Sequence, residues 1–285
     1  VKNPTLEFFC KLCYYIIFNP QIRIIAMAKH SYDDLSTRMK KYEAASGGIL
    51  VPRMPAIIRL DGKAFHTFTR RRCDRSVAYD PIMHDVMCHT MLGLTRTIQN
   101  VKFGYTQSDE ISLLLIDYTS HTSSQWFDGK IQKIVSVAAA AATANFTYWW
   151  NLLHPDDQLS LCDLPMFDAR VFTVPESDVC NAFIWRQQDA MRNAVQIIGR
   201  HHYSHTEMHG KSCKIIRECL QRDHNIEWQR DVPTWQRHGT AMCRQPGGWA
   251  VDLSMPMISQ NRHYVEQYIP GINLKSSDDT TNNSI

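Results

Sequence analysis

From residue 56 onward the apolar and polar positions fall into readable elements. Ala56 to Leu60 is a short apolar run that stops at Asp61-Gly62, which predicts a strand followed by a turn. Asp80-Pro81 supplies an N-cap and a proline for the first helical position. Ile82, Val86, Met87, Met91, Leu94 and Ile98 then recur at helical spacing, so the segment reads as an amphipathic helix. Val101 to Thr106 and Ile111 to Asp117 are strand-like, joined by Gln107-Ser108-Asp109-Glu110 as an acidic hairpin turn. The stretch from Trp126 to Trp150 holds the alanine-rich string VAAAAATANF, which favours helix and allows close packing. Phe167 to Val174 alternates as a further strand, and the order is β-α-β-β-α-β.

That order is the ferredoxin-like arrangement, an antiparallel four-stranded sheet with both helices on one face. Strands one and three are its central neighbours. Following the chain direction puts Asp61-Gly62 and the hairpin acid Asp109 on the same edge of the sheet, so the two carboxylates are expected close in space. Beyond the core, Ser177 to Arg200 reads as a long helix, followed by a His-rich connector, a shorter helix at Lys211 to Arg222 and a strand-like piece after Thr240. The expected class is α+β: a βαββαβ core over 27–176 and a helical and strand elaboration packed on it over 177–274. Residues 275–285 read as a disordered polar tail, and residues 1–26 as an extension outside the fold. Met27 opens a polar amphipathic segment and reads as a natural start. The longest apolar run before it, Leu12 to Phe18, is well short of the ~20 residues a membrane-spanning helix needs, so no membrane is expected.

Composition narrows the classes without naming one. The chain has 285 residues, 44% hydrophobic and 21% charged, which excludes a short staple-dependent module and a chain disordered throughout. A net charge of +3 permits a polyanionic partner but does not indicate one. The nine cysteines form no dense framework, which points to a reducing, cytoplasmic setting. Cys10 and Cys13 make a C-x-x-C with no second pair at zinc-binding spacing.

The acidic pair carries the candidate chemistry. Magnesium takes one or two carboxylates together with substrate phosphates. Two such ions would activate an attacking hydroxyl and neutralise a triphosphate. Asp-Gly and Ser-Asp are also ordinary turn formers, so spacing alone leaves both a metal site and a plain turn open. Glu110 would be a further ligand or a hairpin stabiliser. Arg59, a charge within an apolar strand, needs a partner.

The strings IIRLDGKAFHTFTR (57–70) and GYTQSDEISLLL (104–115) closely resemble the two signature segments of the tRNA-histidine guanylyltransferase superfamily. FDARVF (167–172), WRQQDAMRN (185–193), HGKS (209–212) and QRHGT (236–240) extend the resemblance from about Met27 to Cys243. It implies a polymerase-like palm that works in the 3′-to-5′ direction. In that family a tRNA 5′ end, activated with ATP or already a triphosphate, is attacked by the 3′-hydroxyl of an incoming nucleotide such as GTP. Two magnesium ions, a tRNA partner and a homotetramer are implied with it. Carried over residue by residue, Asp61 and Asp109 become the metal carboxylates, with the Gly62 carbonyl as a further ligand and Glu110 in support. The turn Asp61, Gly62, Lys63, Ala64, Phe65 and His66 would cradle the nucleotide with Ser108. Lys130 and Lys133 match triphosphate-contacting positions, though such a pair is otherwise ordinary helix surface. Arg70, Arg71, Arg72 and Arg75 could contact tRNA phosphates or form a solvated loop.

One departure directs the expected substrate. Members that guanylate tRNA-His carry a His-Ile-Asn-Asn-Leu-Tyr-Asn-type string where this chain reads Met191-Arg192-Asn193-Ala194-Val195-Gln196. The missing histidine makes the chain similar to the "-like" branch, associated with template-dependent repair of 5′-truncated tRNAs. Arg186, Gln187 and Asp189 match the shared part of the segment. Two decoys are set aside: HGKS lacks the Walker glycine, since position 205 is His205, and His201, His205 and His209 have no carboxylate frame. The alternatives are another palm nucleotidyltransferase or cyclase, and a non-catalytic RNA-recognition module with the same β-α-β-β-α-β order. The third strand lacks the stacking aromatics such a module displays.

Overall fold

A computed structural model describes residues 29–270. The segment before Met27, with Cys10 and Cys13, and the tail 275–285 lie outside the described residues. The chain divides between Gly47 and Gly48 into two compact units. The first holds helix α1 (Lys29–Ala45).

The second unit begins with β1 (Ala56–Gly62), α2 (Phe65–Arg72), α3 (Pro81–Thr97), β2 (Val101–Gln107) and β3 (Glu110–Leu115). It continues with α4 (Ile131–Leu153), β4 (Phe167–Thr173), α5 (Glu176–His202), α6 (Cys213–His224), β5 (Thr240–Gln245) and β6 (Gly248–Asp252). The sheet order is β4-β1-β3-β2-β5-β6, antiparallel at every pair. The first four strands give the expected βαββαβ core with β1 and β3 central, and β5 and β6 extend it beyond β2.

Local chemistry accounts for the elements that frame the site. The Asp80 carboxylate caps α3 by accepting hydrogen bonds from the backbone N–H groups of Ile82 and Met83. Gly93 lets α3 close on α4, because a Cβ there would stand 1.9 Å from Asn145 Oδ1. Ile134 shares a small cavity with Leu50, Ala56 and Leu115, whereas the Phe146 and Trp150 rings pack on Phe65 and Phe68. Helix α4 therefore runs from the Ala56 end of β1 to the Gly62 end.

Both faces of the sheet are covered. Ile58, Leu60, Ile111 and Leu113 pack under Val86, Met91, Ala138, Ala142 and Phe146 of α3 and α4. Ile57, Phe103, Tyr105 and Leu114 pack under Val179, Cys180, Phe183 and Ala190 of α5, joined by Met255, Ile258 and Val265. Burial on two sides explains why β3 reads as an apolar run interrupted only by Ser112 rather than as an alternating one. It also removes the RNA-recognition alternative, which needs an open sheet face. Among the described residues no helix is long and apolar enough to cross a membrane.

Candidate active site

The turns after β1 and β2 meet at one edge of the sheet. The Gly62 backbone N–H donates to the Asp109 carbonyl at 3.1 Å, tying them together. Gly62 is required there, since a Cβ would fall 2.3 Å from Phe65 Cδ2. Phe65 itself is buried in an aromatic cluster with Phe68, Phe146 and Phe167, which fixes the start of α2. Ala64 (φ 56°) and Ser108 (φ 54°) both hold the left-handed conformation that L-residues avoid. Such backbone costs on the order of 1–3 kcal/mol per residue and gathers at functional sites.

The strand register builds an acidic row on the α5 side. Asp61 stands opposite Glu110 on β3 and opposite Asp168 on β4. One row inward, Arg59 stands opposite Ser112 and Arg170. Burial pushes the Asp109 carboxyl up to about 6; Asp61 and Glu110 add to the rise, while its own backbone N–H and Ser108 oppose it. The Ser108 hydroxyl donates to Asp109 Oδ1 at 3.0 Å. Asp61 is raised by burial and then by Asp168, against the pull of Arg59, Arg170 and Arg186. Burial raises Glu110 as well, and the Arg186 fork draws it back.

Arg186, matched from sequence to the shared part of the family segment, grips Glu110 with both arms. Its Nε and a terminal nitrogen donate to the two Glu110 oxygens at 2.6 and 2.7 Å, and the latter nitrogen reaches Asp189 at 3.0 Å. Asp189 also accepts from Arg192 at 2.7 Å. Glu110, with both oxygens engaged, anchors α5 to the hairpin. Arg59 finds the Trp185 ring at 5.5 Å, but its Nε has no hydrogen-bond partner among the described residues.

Two clefts open on Ser108 and Asp109. The larger, about 690 Å³, runs from Gly62, Ala64 and His66 past Arg70, Arg75, Arg200 and His201 to an aromatic end at Tyr79, His84 and Trp235. Its size lies within the ordinary range for small-molecule sites. The second, about 550 Å³, lies beneath α5 and is lined by Arg59, Asp61, Glu110, Arg186, Asn193 and Arg200.

The structure thus gathers Asp61, Gly62, Ala64, His66, Ser108, Asp109 and Glu110 at one sheet edge. The Lys63 side chain is exposed, while its backbone N–H donates to the Met166 carbonyl at 2.8 Å. Lys130 and Lys133 need a correction. They stand at the start of α4, beside the Ala56 end of β1, a strand length of roughly 20 Å from Gly62. Lys130 pairs with Asp128 at 3.7 Å, and the Lys133 ammonium lies 4.6 Å from the Phe127 ring centroid. Because α4 runs in the same direction as β1, its first turn lies at the strand end far from Gly62. The cations that do line the larger cleft are Arg70 and Arg75, with Arg200 and His201 from the end of α5. Arg72 from the same basic run is instead held by Asp157 and Asp163. Tyr79, His84 and Trp235 escaped the sequence reading, because an aromatic in a loop or at a helix start carries no periodic signal. The His84 ring lies 4.1 Å from that of Trp235, tilted by 31°, and shares a 2.8 Å hydrogen bond with the Thr240 hydroxyl.

Among the described residues no group of three or more His, Cys, Asp or Glu is arranged to hold a metal by itself. Asp61 and Asp109, with the Gly62 carbonyl, do fit magnesium, which completes its shell with water and substrate phosphate. Burial is the first cause of the rise in both carboxyls, with repulsion from Asp168 at Asp61 and from Asp61 and Glu110 at Asp109 adding to it.

The tRNAHis guanylyltransferase (Thg1) family model matches residues 36–175. A bacterial tRNA(His) guanylyltransferase (Thg1)-like protein in complex with ATP is 37% identical with a TM-score of 0.77, the match covering 83% of this chain and 99% of that one. A bacterial Thg1-like protein in complex with GTP is 34% identical with a TM-score of 0.68, over 82% of this chain and 98% of that one. The tRNA(His) guanylyltransferase of Debaryomyces hansenii is 32% identical over 156 residues, 54% of this chain and 56% of that protein. The chain spans about half the length of the curated guanylyltransferases it matches.

Proposed function

This chain belongs to the tRNAHis guanylyltransferase family, and we propose that it is a 3′-to-5′ nucleotidyltransferase that adds nucleotides to the 5′ end of tRNA. One observation carries the proposal: two separate clefts converge on Asp109 and Ser108. A reaction that joins two phosphate-bearing substrates needs such a junction, with one substrate in each cleft and the carboxylate pair between them.

In the larger cleft, Arg70, Arg75 and Arg200 balance the charge of a nucleoside triphosphate, ATP or GTP, and the aromatic end takes the base. The cleft beneath α5 takes the tRNA 5′ end. Asp61, Asp109 and the Gly62 carbonyl would hold two magnesium ions, which supply hydroxyl activation and charge neutralisation when bound. Glu110 and Arg186 fix α5 so that Asn193 and Arg200 stay over the acidic row. The transfer joins the 3′-hydroxyl oxygen of the incoming nucleotide to the 5′-phosphorus of the tRNA and expels the activating group.

Met191, standing where the guanylating members have histidine, favours repair of 5′-truncated tRNAs over addition to intact tRNA-His. The test is a 5′-truncated tRNA labelled at its 3′ end and incubated with nucleoside triphosphates and magnesium. Growth at the 5′ side supports the proposal, and growth at the 3′ side or none overturns it. A homotetramer belongs to the same proposal, with light scattering as its check.

A further inference from the structure

We propose that Trp185 is a base-stacking platform for the RNA substrate, set outside both clefts on the outer face of α5. The inference rests on the reading that this chain acts on tRNA.

Trp185 is the one exposed tryptophan of the seven, its residue half open to solvent at 50%. An indole offers more apolar area and a larger π-face than any other side chain, so an exposed one is a ready surface for stacking. Its inner side caps a small void shared with Arg59, Ser112 and Arg186. The Arg186 guanidinium lies 4.6 Å from the ring centroid and that of Arg59 lies 5.5 Å away. Arg186 is in turn locked by Glu110 and Asp189. The ring therefore packs beside an anchored guanidinium, which limits the entropy lost in ordering it on binding.

The surroundings select the partner. Along α5, positions 185, 189, 192, 196 and 200 fall on one helical stripe. Arg192 is exposed there and pairs with Asp189 at 2.7 Å, and Arg200 ends the stripe. Arg170, on the edge strand β4 beside Arg59, is also half-exposed and pairs with Asp168 at 3.4 Å. An exposed aromatic among arginines is the arrangement that tracks single-stranded nucleic acid, with stacking on the ring and phosphates on the guanidinium groups. A stable protein–protein contact would instead centre on an apolar patch depleted in charge. Arg59 and Arg186 also line the cleft that holds Asp61 and Glu110, so a base stacked on Trp185 lies one side chain from the acidic row.

The experiment measures binding of a fluorescent 5′-truncated tRNA to the full chain and to Trp185→Ala, Trp185→Phe and Trp185→Leu, with KM for the nucleoside triphosphate and the sedimentation coefficient followed in parallel. Trp185→Ala weakens tRNA binding roughly 5- to 100-fold, the range that alanine produces at a stacked aromatic, and leaves the nucleotide KM within about twofold. Phe restores most of the affinity and Leu does not, because Leu keeps apolar bulk without a π-face. Unchanged tRNA affinity in Trp185→Ala overturns the proposal, as does full rescue by Leu. A lowered sedimentation coefficient in Trp185→Ala overturns it in favour of a contact between copies of the chain. If the wild-type chain itself binds no tRNA, the reading of the substrate fails and the platform with it, an outcome separate from those of the variants.

Discussion

Replacing Asp109 by Asn removes a charge that the folded metal-free chain holds at a disadvantage. Burial raises the Asp109 carboxyl from an ordinary 3.8 to about 6. The folded state therefore binds the proton more tightly than the unfolded state does. The resulting stabilisation is complete below about pH 4 and is lost as pH rises through about 6. Two units at 1.36 kcal/mol each set an upper bound of about 3 kcal/mol, and access of water at the cleft mouth reduces it to about 1–2 kcal/mol. The asparagine side chain escapes that loss, and its amide oxygen still accepts from the Ser108 hydroxyl, which donates to Asp109 at 3.0 Å in the wild type. In chelator-treated buffer at about pH 8 the variant should melt above the wild type by roughly 2–8 °C, and the gap should close toward about pH 4.5. Calorimetry across that range checks it. Added magnesium should narrow the gap, since it stabilises the wild type alone, while the variant loses nucleotide addition. A gap independent of pH, or a wild type that melts higher in chelator at about pH 8, would refute the strained-carboxylate account.

Gly62→Ala forces a Cβ into the Phe65 ring and should cost about 1–3 kcal/mol, read by urea denaturation, with larger losses in activity than in stability. Arg186→Ala leaves Glu110 unpaired in a partly buried site and should destabilise by about 2–4 kcal/mol. Combining it with Glu110→Gln should recover part of that loss in a double-mutant cycle, and strict additivity would show that the pair is not coupled. Lys133→Ala should leave the nucleotide KM within about twofold, because the lysine stands a strand length from Gly62; a tenfold rise would return it to the phosphate site.

The core was legible where local chemistry and periodicity agreed. The Asp80-Pro81 cap, the acidic hairpin and the alternation of Phe167 to Val174 each predict an element that the structure contains. The edge shared by Asp61 and Asp109 followed from strand direction alone. The second cover of the sheet was less visible. β3 is apolar at every inner position except Ser112, but one covered face and two cannot be separated from a six-residue run. Lys130 and Lys133 were misplaced because spacing along a helix says nothing about which end of a sheet that helix starts from. The clamp between Arg186 and Glu110 joins residues 76 positions apart in the chain, a pairing that no local spacing encodes. Tyr79 and Trp235 come together through packing between a loop and a single-turn helix, a T-shaped contact at 5.9 Å that no local pattern encodes.

The most direct measurement is sequencing of tRNA 5′ ends after incubation with the full chain, magnesium and all four nucleoside triphosphates, using intact tRNA-His and 5′-truncated tRNAs side by side, with Asp61→Ala and Asp109→Ala as controls. Template-matched nucleotides should appear at truncated 5′ ends with the wild type and with neither variant. Extension by either Ala variant at the wild-type rate, or no 5′ extension by the wild type, would contradict the assignment of the carboxylate pair to 3′-to-5′ nucleotide addition.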